Sequence, residues 1–417
     1  MQTTKPYTIS KQVVLEAYKK VKANRGAAGV DEETIKDFEQ DLKGNLYKIW
    51  NRMSSGSYFP PAVLRVEIPK DDGKKMRELG IPTVSDRVAQ MVVKLYLEPV
   101  VEPIFHVDSY GYRPGKSAID AIGKARERCW RYDWVLDVDI KGFFDNIDHE
   151  LMMKAVRKHT DCKWILLYIE RWLKAPVQLE DGTLEARDKG TPQGGVISPL
   201  LANLYLHYAF DEWMKRRLPD TPFERYADDI AVHCKTETES LKVKEFLEKR
   251  LAECKLELHP EKTKIVYCQD GKRQQDYVNT SFDFLGYTFR ARLAKTRMGD
   301  YFTNFSPGVS NKSKKRLMEK MRKLEIQRKT RTDLEDLAEM MNPILRGWIN
   351  YFDKYYKSAI HSTLYRVNTI LTRWAVNKYK SFNRSHRRAY DWLGAIAKRE
   401  PNLFAHWEIG IRPAAEQ

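Results

Sequence analysis

The chain has 417 residues and a hydrophobic content of 42%, enough to bury a core and to exclude global disorder. Its 73 lysines and arginines against 57 acidic residues leave a net charge of +16, which favours a polyanionic partner. No run reaches the ~18 apolar residues of a spanning helix, the N-terminus has no signal-peptide core, and the five cysteines (Cys129, Cys162, Cys234, Cys254, Cys268) are widely spaced without a C-x-x-C. That cysteine pattern argues against a disulfide framework and a cysteine zinc site, so the chain is expected in a reducing, intracellular compartment, away from membranes.

Ser10 to Ala23 reads as a helix with Val14, Tyr18 and Val21 on one face and Ser10 as its cap. Asn24–Gly29 breaks it, a second helix is expected over Leu46–Met53, and Tyr58-Phe59-Pro60-Pro61 forces an extended path. Arg65 to Ile81 reads as a hairpin with a basic tip, and Asp86–Val101 as an apolar helix. A strand over Trp134–Ile140 precedes a helix from Asp148 to Lys158, and Val196–Trp213 is a long apolar helix opened by Ser198-Pro199. Ser240–Leu251 is helical, Leu256–Leu258 and Lys264–Tyr267 are short strands, and Phe282–Tyr287 closes the α/β part. Beyond Asn311 the pattern is helical: Leu317, Met321 and Leu324 line one helix, and Thr332 with Glu335 forms a capping box for the next. The change near residue 305 divides the chain into an N-terminal extension (1–60), a mixed region (61–305) and a helical region (306–417).

The chemistry concentrates in acids. Tyr226-Ala227-Asp228-Asp229 lies between short apolar runs and reads as a tight hairpin. Adjacent carboxylates at a hairpin tip repel each other, but they suit hard divalent cations. Alternation along Trp134–Ile140 puts Asp137 and Asp139 on one face. If Asp139 meets Asp228 and Asp229, the three acids would hold two Mg²⁺ about 3.5–4 Å apart, an arrangement that activates a hydroxyl and stabilises a leaving phosphate. The alternative is a set of unrelated surface acids, since paired aspartates alone are common.

These runs resemble, in order, the motifs of group II intron-encoded reverse transcriptases. Asn24–Asp31 is similar to that family's N-terminal extension; Arg65–Lys70 with Leu79–Thr83 resembles its fingers hairpin; Ser109–Gly115 is the next block. Asp137-Val138-Asp139-Ile140 with Phe143-Phe144-Asp145, Gly190–Gly195 with Ser198–Asn203, and Arg225–Asp229 resemble the catalytic blocks. His259–Thr263, Phe284-Leu285-Gly286 and Leu345–Phe352 complete the set, the last resembling the maturase, or X, domain.

The resemblance implies an α+β right-hand polymerase: fingers and a palm with an antiparallel sheet, then an α-helical thumb/maturase domain. It implies an RNA-directed DNA polymerase that also binds intron RNA to assist splicing and retrohoming, with two Mg²⁺ and dNTPs, a bacterial cytoplasmic location, and RNA template, DNA primer, group II intron RNA and target DNA as partners. Asp139, Asp228 and Asp229 would bind metal, with the Ile140 carbonyl an additional ligand. Lys70 and Arg77 would clamp the triphosphate, Lys74 or Lys75 being alternatives to Arg77. Phe144 would lie under the sugar and exclude a 2′-hydroxyl, the alternative being core packing. Gln193 and Gly194 would approach the templating pair; Arg65 and Arg113 would contact the template, and Lys262 the primer backbone.

The last quarter, Asn311–Gln417, carries 23 basic and 11 acidic residues. Lys312, Lys315 and Arg316 crowd its first helix, where phosphate contacts explain them; a solubilising surface is the bland alternative. The sequence shows no paired-cysteine H-N-H endonuclease of the kind longer family members carry, so insertion would rely on a pre-existing primer. A domesticated, retron or defence-associated reverse transcriptase, and a splicing-only RNA-binding protein, are the competing readings.

Overall fold

A computed structural model describes residues 5–69, 76–296 and 298–413. The chain divides into two compact units, one of residues 1–121 and 134–265, the other of 122–133 and 266–417. The expected change at residue 305 falls inside the second unit, because three strands that run up to Val309 belong with the helices after them.

The first unit begins with helices Lys11–Asn24, Ile35–Gln40 and Leu42–Ser55. Ser10 caps the first, its side chain accepting from the Gln12 amide, while Val14, Tyr18 and Val21 are buried as their spacing required. Strands β1 (Val63–Pro69) and β2 (Met76–Ile81) pair antiparallel from Leu64↔Ile81 to Pro69↔Met76. The loop joining them, which contains Lys70, Lys74 and Lys75, lies outside the described residues. Helix Val84–Val101 is buried along most of its first half, where Asp86, Arg87 and Gln90 are buried among its apolar residues.

A second sheet carries the acids. Its order is β6 (Phe223–Tyr226), β7 (Asp229–Cys234), β3 (Trp134–Val138) and β8 (Lys264–Tyr267). β7 is antiparallel to both neighbours. Val135, Leu136, Ala231 and Val232 are fully buried, so this is a sheet covered on both faces. Two short strands, β4 (Val177–Gln178) and β5 (Leu184–Glu185), extend the β1–β2 sheet. The long helix expected over Val196–Trp213 is interrupted: Ser198–Leu206 is α-helical, His207–Asp211 forms a π turn, and Glu212–Arg217 resumes the α-helix. Leu256–Leu258 is no strand; only Leu258 bridges, to Ile140.

The second unit holds the antiparallel sheet β9 (Ser281–Phe284), β10 (Tyr287–Lys295) and β11 (Tyr301–Val309), in the order β11-β10-β9. The 9-residue partners β10 and β11 were missed in sequence because Arg290, Arg292, Thr303 and Asn304 interrupt any apolar alternation. Residues 122–133 join this unit through Arg273, which donates to the Tyr132 and Cys129 carbonyls at 2.9 and 3.1 Å, and through Trp130 Nε1, which donates to the Phe305 carbonyl at 2.9 Å. Helices Asn311–Lys323, Leu334–Phe352, Ser358–Lys378 and His386–Arg399 follow. Leu317 and Met321 are buried in the first of them, and Leu337, Met341, Leu364, Leu371 and Trp374 in the next two. The capping box is one residue later than expected: Asp333 and Asp336 form it, while the Thr332 hydroxyl donates to the Lys329 carbonyl. No helix among the described residues is long and apolar enough to cross a membrane.

Candidate active site

Strands β6 and β7 pair to their ends, Tyr226↔Asp229 being the last pair. The turn is therefore two residues, Ala227 and Asp228. Such turns match the strand twist only with positive φ, and Ala227 has φ 57°. Asp228 stands at the tip and Asp229 opens β7. Strand β3 pairs with β7 as far as Val138↔Ile230, so the next position sets Asp139 beside Asp229. Three carboxylates from two distant segments thus share one sheet edge.

The Asp139 backbone is latched by the segment after residue 256. The His259 amide donates to the Asp139 carbonyl at 2.8 Å, the Asp139 amide donates to Thr263 Oγ1 at 3.3 Å, and the Lys141 amide donates to the Glu257 carbonyl at 2.9 Å. Lys262 Nζ lies 3.3 and 3.2 Å from the two Asp139 carboxylate oxygens. Sequence reasoning had set this lysine at the primer; here its ammonium sits on a metal-binding candidate. Ile140 is buried in its bridge with Leu258.

Desolvation raises the Asp228 carboxyl above the usual range; the Asp139 charge adds to the rise, and Arg77 and Arg225 oppose it. Tyr112, at φ 57°, has its hydroxyl raised first by desolvation and then by Asp228, and it senses Arg77 and Asp229 as well. Arg77, exposed on β2 opposite Ile68, therefore reaches the field of the acids. Among the described residues no group of three or more acidic, histidine or cysteine side chains closes into a metal cage. The donor set nevertheless suits a hard cation: the three side chains are carboxylates, the Asp139 charge adds to the rise of Asp228, and a lysine ammonium already rests on Asp139.

Phe143 and Phe144 part ways. Phe143 is in the core, whereas Phe144 is half-buried, its ring 5.4 Å from Phe143 in edge contact. The Phe144 carbonyl accepts from the Thr191 amide at 2.8 Å, which ties the Gly190–Gly195 loop to the turn after Asp139. Gln193 Nε2 lies 3.3 and 3.4 Å from the Asp145 carboxylate, and the Gln193 carbonyl accepts from the Gly80 amide at 2.9 Å. Gly194 has φ 130°, and a β-carbon on it would lie 2.5 Å from the Gly80 carbonyl oxygen. Only glycine passes here.

Two arginines that the resemblance sets at the template are engaged by acceptors of the protein itself. Arg113 directs its fork inward, to Glu102 Oε1 at 2.9 and 2.7 Å and to the His106 and Ser109 carbonyls at 2.6 and 2.7 Å. At 8% side-chain exposure it is a scaffold residue of the Ser109–Gly115 block. Arg65 is bonded to Glu78 and lies 3.5 and 3.6 Å from Glu67 and Glu185. It lines a cleft of about 240 Å³ together with Gly80, Asp145, Arg187 and Gln193. Arg187 was not anticipated; its buried Nη1 has no hydrogen-bond partner, and burial lowers the guanidinium while Asp145 supports its charge. A lone arginine outside any motif carries no sequence signal. In the second unit Lys312, Lys315 and Arg316 are exposed on helix Asn311–Lys323, on the side away from buried Leu317 and Met321.

Residues 68–289 match the family described as reverse transcriptase (RNA-dependent DNA polymerase), and residues 314–392 match the group II intron, maturase-specific domain. The chain is 38% identical over 204 residues to the group II intron-encoded protein LtrA of Lactococcus lactis subsp. cremoris, an alignment covering 48% of this chain and 33% of LtrA. It is 31% identical over 334 residues to protein YkfC of Escherichia coli K12, covering 68% of this chain and 82% of YkfC. An uncharacterized 91 kDa protein in the cob intron of Schizosaccharomyces pombe is 30% identical over 214 residues, with 51% of this chain and 26% of that protein covered. The chain thus spans about a third of the length of LtrA.

Proposed function

Because the chain belongs to the reverse transcriptase (RNA-dependent DNA polymerase) family and carries a group II intron maturase-specific domain, we propose that it copies RNA into cDNA and binds a group II intron RNA to assist its splicing and retrohoming. The observation that carries the polymerase reading is the register of β3 on β7, which supports a shared role for Asp139, Asp228 and Asp229.

In this reading the three carboxylates, with the Ile140 carbonyl, would hold two Mg²⁺. Bound there, the ions would supply Lewis acidity, lowering the pKa of a primer 3′-hydroxyl and neutralising a departing pyrophosphate. The protein's own groups do the rest. Arg77, with Lys70, takes the triphosphate as a charge-assisted donor. The exposed edge of Phe144 closes the space a ribose 2′-hydroxyl would need. Gln193 and Gly194 bring backbone against the templating pair, and Arg65 and Arg187 line the adjoining cleft on the template side. Were Asp139 to hold a cation, Lys262 would be freed from it to face the primer phosphates. The Lys312, Lys315 and Arg316 row meets the duplex or intron RNA backbone, an interaction that weakens steeply with salt.

The test is extension of a DNA primer on an RNA template with dNTPs and Mg²⁺, run beside a filter-binding assay with a group II intron transcript. Wild type is expected to extend the primer, and Asp229→Ala to lose extension while retaining intron RNA binding. A wild-type protein that makes no cDNA, or an Asp229→Ala variant that loses both activities together, would refute the reading.

A further inference from the structure

Behind the acidic turn lies a buried polar cluster that metal binding does not account for. Arg225, the residue that precedes Tyr226 on β6, is fully buried. Its guanidinium is bidentate on Asp211, with Nε to Oδ1 at 2.8 Å and Nη2 to Oδ2 at 2.7 Å. Its Nη1 donates to Asn203 Oδ1 at 2.9 Å and to the Ala227 carbonyl at 3.2 Å. Asn203 in turn donates through Nδ2 to the Gly111 carbonyl at 2.7 Å. Gly111 lies directly on the turn: a β-carbon there would be 2.5 Å from the Ala227 amide nitrogen and 2.9 Å from the Tyr226 carbonyl carbon. The backbone of Arg225 is pinned on both sides too, its amide donating to the Asp108 carbonyl at 2.9 Å and its carbonyl accepting from the Tyr110 amide at 2.7 Å.

We propose that Arg225, Asp211 and Asn203 form a clamp that holds the Ala227–Asp228 turn in its cation-receiving shape, Arg225 being the positioning residue. The inference rests on the polymerase reading for its consequence but on geometry for its substance. Ala227 sits in the left-handed region, which a non-glycine residue occupies only when its surroundings impose it. The imposition comes from two directions, the Arg225 bond to the Ala227 carbonyl and the Gly111 backbone against its amide. Both are tied to Asn203, so the turn is held within a closed ring of contacts. The π turn at His207–Asp211 inserts its extra residue between Asn203 and Asp211, the two helix residues that grip Arg225. π turns of this kind concentrate where a side chain must be re-aimed for function. His207 adds a further approach to Asp211, its Nδ1 4.0 Å from Oδ2. Arg225 reaches no reacting atom; it acts on Asp228 through the backbone of the turn, by its bond to the Ala227 carbonyl.

A purely structural ion pair would change stability alone, whereas a positioning residue must change cation affinity. The probe is Mn²⁺, counted as free ion by electron paramagnetic resonance in titrations of the full chain, with Asp228→Ala as the blank. Arg225→Lys keeps the charge but loses the fork, and Asn203→Ala opens the ring without unpairing Asp211. Each is expected to raise the half-saturating Mn²⁺ concentration by about 10-fold, the scale seen when groups that orient metal ligands are removed. Primer extension should follow, with kcat falling and the dNTP KM nearly unchanged at any given Mn²⁺ level. The double variant should fall short of the sum of the two effects, because both act on one turn. If Asn203→Ala binds Mn²⁺ as wild type does, the clamp is refuted whether or not Arg225→Lys folds. Failure of wild type to extend a primer would sink the polymerase reading instead, and the Mn²⁺ titration would still judge the clamp.

Discussion

Replacing Asp86 by asparagine tests how the loop bearing Gln193 and Gly194 is supported. Asp86 is 1% exposed. Its carboxylate accepts from the Tyr58 hydroxyl at 2.8 Å and Trp172 Nε1 at 2.7 Å on Oδ1, and from Gln90 Nε2 at 2.9 Å on Oδ2. Gln90 Oε1 then accepts from the Ile197 amide at 3.3 Å, so the chain of bonds ends at the foot of the loop. Burial, only partly offset by the three donors, pushes the Asp86 carboxyl from 3.8 up to about 6. At about 1.36 kcal/mol per pH unit this amounts to about 3 kcal/mol. The folded chain holds this proton more tightly than the unfolded chain does. The associated stability is therefore fully present below pH ~4 and is lost as pH rises through about 6. Asparagine cannot titrate, so that pH dependence disappears. Its oxygen still serves Tyr58 and Trp172, but its amide nitrogen faces the Gln90 amide nitrogen. Flipping Gln90 only moves the conflict to the Ile197 amide. One buried donor stays unpaired, which costs about 1–3 kcal/mol at any pH. Urea unfolding of both proteins from pH 4 to pH 8 should show the variant less stable at pH 4 and, because wild type alone loses about 3 kcal/mol over this range, as stable as wild type or more so at pH 8. A gap that stays constant across this range would refute the assignment of a raised carboxyl to Asp86.

The two neighbouring phenylalanines should separate cleanly. Phe144→Val is expected to increase ribonucleotide incorporation relative to deoxynucleotide at least about 10-fold, with little loss of stability, because opening a pocket relaxes discrimination by a few kcal/mol at most. Phe143→Ala, at 2% exposure, should instead lose about 3–5 kcal/mol in urea unfolding and leave sugar selectivity intact in the folded fraction. Gly194→Ala is expected to abolish primer extension while Mn²⁺ binding persists, since its β-carbon would displace Gly80 and the β2 end rather than the acids. Loss of Mn²⁺ binding in that variant would mean that the loop and the acidic turn are one mechanical unit.

The sequence disclosed elements whose signals are local and missed those set by tertiary partners. The Arg65–Ile81 hairpin, the Trp134 strand and the acidic turn were legible because alternation and a two-residue turn are short-range patterns. The β10–β11 pair was not, because arginines such as Arg292 are buried there only by donating to the Ser306 and Thr288 carbonyls. The π turn at His207–Asp211 was equally hidden, since Asp211 within it pairs with Arg225 from another segment and no local pattern marks that contact. Basic side chains were read as ligands of nucleic acid because charge alone cannot tell an outward lysine from an inward one. Arg113 shows the error: a guanidinium with Glu102 and two carbonyls around it has no donors to spare.

The two kinds of cation around the acids, one buried and two exposed, bear on how such a cluster is tolerated before any substrate arrives. Arg225 is fixed, fully buried and committed to Asp211, so it cannot leave and can only shape the turn. Lys262 and Arg77 are exposed, and an exposed ion pair is worth at most about 1 kcal/mol. Lys262 on Asp139, at 58% and 36% side-chain exposure, is therefore a weak occupant that a divalent ion would displace at little cost at the proposed metal site. Strength is placed where the geometry must not move, and weakness where exchange is required. A buried, fully bonded cation in the position of Lys262 would gain little net stability, because burial costs it its hydration, and would close the proposed site to divalent ions.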